Sequence, residues 1–281
     1  MHMKKPHYSI GEISRLCNVS RKALRLYDSM GLLSSRRNDE NNYRTYSHND
    51  LLMVLVLKYY KQMGFRLEEM KSFLVGNGSD EGYMRESFEH KIDELAMAQA
   101  KLRHCEQCVR DWHSLLAEAH LVRESSVSEV SVKYAEPRRL LFQDQGFEGD
   151  IKSAIINLSF MDYAERSGDA VTGPVCIQYA SLSARISGES QPIRVMQDFL
   201  RPGGTGDKEV FGGIMVATCY HMGPLEGIPS SYRRILEWID RHGYAAGAGC
   251  CERYVSDYWT SSDPRWHVAE LMVEVSRKAF P

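Results

Sequence analysis

The stretch GCCERYVSD, residues 249 to 257, sets two adjacent thiols beside a carboxylate in a run that reads as a strand. Three chemistries are open to such a group. Cys250 and Cys251 could ligate a soft metal or change redox state, and either thiol could act as a nucleophile with His221 or His267. Alternatively, Glu252 could hold a positively charged molecule. Strand alternation places Cys250 and Glu252 on one face, with Cys251 and Arg253 on the other. No short-range motif fixes a Cys–His pair, and neither cysteine stands at the start of a helix, where its thiol would be activated. The carboxylate is the stronger candidate, because on a buried or half-buried strand it needs a counter-charge or hydrogen bonds. Tyr134, Tyr179, Phe199, Tyr220, Tyr254, Trp259 and Trp266 offer aromatic faces from several segments, each worth about 0.5 to 2 kcal/mol to a bound cation. Glu270, in the final strand WHVAELMVEV, is a second candidate carboxylate. The competing reading of both is a glutamate on a solvent face, or one paired to Arg253 or Arg265.

HCEQC, with Cys105 and Cys108, has the look of a metal motif but lies inside a regular helical pattern, so packing explains it better. A two-thiol metal site could still be completed across a dimer. The seven cysteines are odd in number and lack small-domain disulfide spacing, which points to reduced thiols. We expect no catalytic residue, no bound metal and no cofactor.

The elements that must position these groups fall into three parts, at 1–76, 77–126 and 127–281. The formal charge of -2 hides an asymmetry. Through Lys71 there are 13 Lys or Arg against 7 Asp or Glu; the remainder has 22 against 30. A basic head suits a polyanion, and an acidic tail suits a neutral or cationic partner. The first residues lack the apolar stretch of a signal peptide, and no apolar run reaches the roughly 18 residues needed to cross a bilayer, so the expectation is a cytoplasmic protein without membrane contact.

In the head, YSIGEISRLCNVSRKALRLYDSMGLL reads as two short helices. Ser9 caps the first with Glu12 at the capping-box position; Ser20 caps the second, and Gly31 ends it. This is a helix-turn-helix, and its second helix would carry Arg21, Lys22 and Arg25 into a major groove. SSRRNDENNYRTYS follows as a two-stranded wing with Arg36, Arg37, Tyr43, Arg44 and Tyr46 as a phosphate clamp. A further helix is read from Asn49 or Asp50, with Leu51, Leu52, Leu55, Val56, Tyr59 and Met63 as core and Lys58 and Lys61 toward DNA. Gly64 interrupts it, and a short helix follows from about Leu67.

From Tyr83 to Ser126 no proline or glycine occurs, and Phe88, Ile92, Leu95, Leu102, Val109, Trp112 and Leu116 make an apolar stripe. This predicts one helix of about 40 residues, roughly 60 Å long, whose stripe meets a second copy of itself. Beyond it the tail reads as two strand-helix-strand-strand units. Their sheets could face one another across a concave ligand site.

The motifs YSIGEISRLCNVSRKALRLYDSMGLL, NNYRTYS and LLMVLVLKYYKQMGFRLEEMKSFL closely resemble the MerR family of transcription regulators over nearly the whole first 75 residues. ATCYHMGPLEGIPSSYRRILEWIDRHGY, GCCERY and the acidic last strand more loosely resemble the GyrI-like effector-binding domain. Together they resemble the family's multidrug-responsive branch. The implied fold is multidomain, α plus α+β: a winged helix-turn-helix head, an antiparallel dimerisation helix and a duplicated GyrI-like sensor. By this resemblance Tyr8, Ser20, Arg21, Lys22, Arg25, Tyr27, Arg36, Tyr43, Arg44 and Lys61 contact DNA, and Glu252 is the central pocket glutamate. The implied partners are double-stranded promoter DNA, a second copy as homodimer, RNA polymerase and a small lipophilic cation. The implied output is activation by distorting the promoter. A metal- or thiol-redox-responsive regulator is the alternative, followed by a GyrI-like hydrolase.

Overall fold

The computed structural model describes residues 7–37, 43–75, 81–200 and 203–278. They form two compact units, 1–101 and 102–281, which divide within one long helix. The expected boundary at 76 falls outside the described residues.

The first unit contains β1 (Tyr8–Ser9), α1 (Ile10–Cys17), α2 (Arg21–Ser29), β2 (Arg36–Arg37), β3 (Arg44–Tyr46), α3 (His48–Gln62) and α4 (Leu67–Leu74), then the start of α5 (Glu81–Glu124). Local chemistry sets its boundaries. The Ser9 hydroxyl accepts the Glu12 N–H, and the Glu12 carboxylate accepts the Ser9 N–H, closing a capping box. Ser20 caps α2 through the Ala23 N–H, and Asn18 adopts the left-handed conformation that ends α1. A small sheet, in order β1-β3-β2, forms the wing; residues 38–42, between β2 and β3 in the sequence, lie outside the described residues.

Ile13, Leu24, Tyr27, Tyr46, Val54, Leu57, Met70 and Phe73 build this unit's core. Here the reading of α3 needs correction. The helix starts at His48, one or two residues earlier than expected, because Ser47 and Asp50 form a capping box. Its buried positions are Asp50, Val54 and Leu57, whereas Leu52, Leu55, Val56, Tyr59 and Met63 are exposed. A nearly unbroken apolar run, LLMVLVL, does not specify which side faces inward. Lys58 is exposed on α3, and its Nζ donates to the Cys17 carbonyl at 3.1 Å, satisfying the end of α1.

The single helix α5 has 44 residues, about 66 Å at 1.5 Å per residue. Leu95, Leu102, Val109 and Leu116 recur at seven-residue spacing and are exposed, while Leu115, Ala119 and Val122 are buried against the second unit's sheet.

The second unit continues with β4 (Ser131–Ala135), β5 (Arg138–Phe147), α6 (Ile151–Ile155), α7 (Leu158–Arg166), β6 (Val171–Tyr179), α8 (Leu182–Ser187), β7 (Gln191–Phe199) and β8 (Lys208–Phe211). After these come β9 (Ile214–Met222), α9 (Ile228–Arg241), β10 (Tyr244–Ala246), β11 (Cys250–Ser256) and β12 (Val268–Arg277). Its strands make one antiparallel sheet in the order β4-β9-β12-β11-β6-β7-β5-β8, with β10 on β12. The duplication is visible in this order: β5-β7-β6 and β9-β12-β11 are equivalent triplets joined edge to edge where β6 meets β11. The two sheets therefore do not face each other, as the sequence allowed; they fuse, with α6 to α9 on one face of the fused sheet and the end of α5 on the other. The expected single helix after β5 is two, because Asn157 caps a new start.

Candidate functional site

In the head, Arg21, Lys22 and Arg25 project from the exposed side of α2, opposite the buried Leu24 and Tyr27. Arg36 and Tyr43 are exposed on the wing, and Lys61 is exposed near the end of α3. Ser20 is spent on the cap of α2. Tyr8, Tyr27 and Tyr46 are core residues, so the fully buried Tyr46 is no part of the clamp; Tyr8 also stands 3.4 Å from His48 Nδ1 through its hydroxyl. Arg44 is tied down: its Nε donates to Asp28 Oδ2 at 2.8 Å, fastening β3 to α2. Burial pushes the Asp28 carboxyl upward, but hydrogen bonds from Ser35 and Arg44 outweigh it and hold the group below its ordinary value.

The second unit brings its charged groups to both faces of the sheet at the middle of β11. Glu252 lies on the face covered by α6 to α9, fully buried, in register opposite Ile177 of β6. Arg185 descends on it from α8. The arginine Nε donates to Oε1 at 2.7 Å and Nη2 to Oε2 at 3.3 Å. The guanidinium carbon lies 4.9 Å from the Tyr179 ring centre and 5.9 Å from that of Phe147, the two rings themselves being edge to face. The Tyr254 hydroxyl donates to Glu252 Oε2. Tyr232 comes from α9, and its hydroxyl pKa is pushed well up, first by burial and then by the Glu252 charge. The assembly is an acidic, aromatic seat holding a planar cation that belongs to the chain itself.

The next residue faces the other way. Arg253 Nε donates to Glu270 Oε2 at 2.7 Å, while its two terminal nitrogens bind Glu118 of α5, one at 3.2 Å. Glu270 is further held by Lys133 and by the Thr218 hydroxyl at 3.2 Å. Glu118 also accepts from Tyr220 at 2.8 Å. Burial pushes the Glu270 carboxyl upward, yet Arg253 and Lys133 outweigh it and hold it low.

Glu252 and Glu270 thus lie on opposite faces and cannot share one ligand. Of the expected aromatics, Tyr179 and Tyr254 join Glu252. Tyr220 faces the Glu118 network, Phe199 covers Lys208, and Trp266 lies under Arg123. Trp259 reaches the Ile155 carbonyl at 3.4 Å, and Tyr134 is half exposed on β4. The sequence reading missed Arg185, Phe147 and Tyr232. For Arg185 a signal existed in SLSARISG: Ser181 caps α8 and Gly188, at φ 80, closes it.

Thiol chemistry has little support. Burial pushes the Cys176 and Cys250 thiols up to about 12 and raises that of Cys251 well above its ordinary value, so the nucleophilic thiolate is disfavoured. Cys105 and Cys108 lie within α5, and among the described residues no group of three or more His, Cys, Asp or Glu could hold a metal. Nor is any helix among them long and apolar enough to cross a membrane.

Asp257, just past β11, is buried and receives the Trp259 N–H at 2.8 Å; desolvation outweighs that bond and raises its carboxyl from 3.8 to about 6. The folded state then binds this proton more tightly than the unfolded state. Stability from this group is full below pH 3.8 and is lost as pH rises to about 6, by about 2–3 kcal/mol. Asp257→Asn should lack that slope, so denaturation curves should show the stability difference between wild type and variant moving by about 2–3 kcal/mol in the variant's favour from pH 4 to pH 7; an unchanged difference would refute the shift.

Residues 8–75 match the family model of the MerR HTH family regulatory protein, and residues 187–276 match that of the GyrI-like small molecule binding domain. The multidrug-efflux transporter 2 regulator of Bacillus subtilis (strain 168) is 25% identical over 296 residues, covering 96% of this chain and 97% of that protein. The multidrug-efflux transporter 1 regulator of the same organism is 46% identical over 70 residues, 25% of each chain. A cryo-EM structure of the EcmrR–DNA complex in EcmrR-RPo aligns over 97% of this chain and 100% of its own, with TM-score 0.46 and 19% identity.

Proposed function

The chain is a MerR-family DNA-binding regulator carrying a GyrI-like small-molecule-binding domain, and from that premise we propose that it is a homodimeric activator switched by lipophilic organic cations. The domains are 1–76 for DNA, 77–126 for pairing through α5, and 127–281 for sensing. The observation that carries the ligand class is the Glu252 seat, where a carboxylate and aromatic rings already hold a guanidinium group. The full-length likeness to a multidrug-efflux regulator supports the same class.

The seat also has an outlet. Glu252 and Arg253 are neighbours on β11, and Arg253 grips Glu118 of α5. A shift of the strand that accommodates a ligand is therefore felt at the helix that pairs the protomers. Two copies impose two-fold symmetry on the DNA, so the operator is a pseudo-palindrome read by Arg21, Lys22 and Arg25 and clamped by Arg36, Tyr43, Arg44 and Lys61. Ligand binding favours the state that bends the operator and aligns the promoter for RNA polymerase, as far as its affinity for the two states differs. The site of action is the cytoplasm.

Selection from a random DNA pool tests the operator claim, with 2-aminopurine placed at the centre of the selected site. A palindrome whose central fluorescence rises when rhodamine 6G is added supports the proposal, and a site without symmetry or response refutes it. Arg25→Ala should weaken this binding and flatten the dependence of log affinity on log salt by about 1 in slope. An unchanged slope in an anisotropy titration would remove Arg25 from the interface.

A further inference from the structure

The Glu252 seat is occupied by the protein's own side chain. Arg185 meets the carboxylate with a fork of two N–H groups at 2.7 and 3.3 Å and lies over two rings, all with the arginine nearly fully buried. Two hydroxyls at the same place, those of Tyr179 and Tyr232, are buried with no partner at full hydrogen-bond geometry, their polar neighbours being the Tyr254 hydroxyl and the Cys250 thiol. Buried hydroxyls usually find partners, so these two are spare acceptors beside the carboxylate. A flat cation with several N–H groups could use them; a quaternary ammonium, which has no N–H, could not.

We propose that Arg185 is a resident surrogate ligand, and that the seat selects planar, N–H-bearing cations of the amidinium and guanidinium type, which bind by displacing it. This rests on the reading of Glu252 as the effector seat. The element carrying Arg185 is suited to withdrawal. Helix α8 has six residues, begins at the Ser181 cap and ends at Gly188. So short a helix has little stability of its own, and its position depends on the contacts that Arg185, Leu182 and their neighbours make. Arg185 thereby sets both the affinity and the selectivity of the site. An entering cation must replace a pre-oriented guanidinium, so weak or badly shaped cations fail to compete, and a ligand that succeeds necessarily frees α8.

The test is chemical rescue in the full chain. Arg185→Ala leaves Glu252 buried opposite a guanidinium-sized gap. N-ethylguanidinium chloride should raise the melting temperature of this variant saturably, by about 4 °C. Tetramethylammonium at equal ionic strength should not, and neither salt should do so in wild type or in Arg185→Ala combined with Glu252→Gln. Equal responses to the two salts, or rescue that survives Glu252→Gln, would overturn the proposal. If Arg185→Ala cannot be purified folded, refolding is carried out in each salt. Recovery only with N-ethylguanidinium supports the seat; equal or no recovery overturns it. A parallel titration of wild type with rhodamine 6G separates this inference from the functional reading. Rescue without dye binding keeps the seat and discards the cationic effector, and dye binding without rescue does the reverse.

Discussion

Glu252→Gln should cut the affinity for rhodamine 6G at least about tenfold and destabilise the sensor unit by about 3 kcal/mol. The two losses have one origin. The carboxylate is fully buried and supplies the counter-charge for whichever cation is in the seat, Arg185 at rest or a ligand in its place. Glutamine retains an acceptor but not the charge, so Arg185 is left buried and uncompensated. Removing one partner of such a pair is far costlier than removing both. Arg185→Met with Glu252→Gln should therefore recover part of the stability, while dye binding stays weak. Denaturant unfolding and fluorescence titration read the two effects separately. Operator binding by the head should change little, and a variant that binds dye as wild type does would remove Glu252 from the ligand role.

Arg253→Ala should cost about 3–5 kcal/mol and, in contrast, leave the seat able to bind its cation. This arginine joins Glu270 on β12 to Glu118 on α5 from the face opposite Glu252. Without it, Glu270 retains Lys133 and Thr218 as partners, and Glu118 retains Tyr220. The sign of the pH effect is fixed by the depressed Glu270 carboxyl. A folded pKa below the ordinary 4.5 stabilises the fold above that value, and the contribution is lost as pH falls through the folded pKa. The variant, with that depression weakened, should lose less stability than wild type on acidification below pH 4.5. More telling is the loss of coupling: dye should bind but no longer alter the DNA. Dye-dependent 2-aminopurine fluorescence equal to that of wild type would show that the signal does not pass through Arg253.

The elements whose ends are written in local chemistry were legible in the sequence. Ser9 with Glu12, the Ser20 cap, Gly31 and Gly64 mark the head's helices, and a long stretch without proline or glycine marks α5. Alternation correctly separated Glu252 from Arg253 on β11. What failed depended on non-local packing. The all-apolar sequence of α3 leaves its inward side to be decided by α1 and α4, so five exposed residues were read as core. Helix α8 is too short to show a period, and its arginine meets a carboxylate 67 positions away. The position of Glu270 on the opposite face follows from the register of β12 on β11, which pairs Glu270 with Arg253, a fact that neither strand carries alone.

The most direct measurement is a crystal structure of the full chain with rhodamine 6G. The charged end of the dye should lie against Glu252, among Tyr179, Tyr232 and Tyr254, with the Arg185 guanidinium withdrawn from the carboxylate. Dye bound elsewhere, with the Arg185–Glu252 fork still closed at 2.7 Å, would contradict the assignment of this seat as the sensor's ligand site.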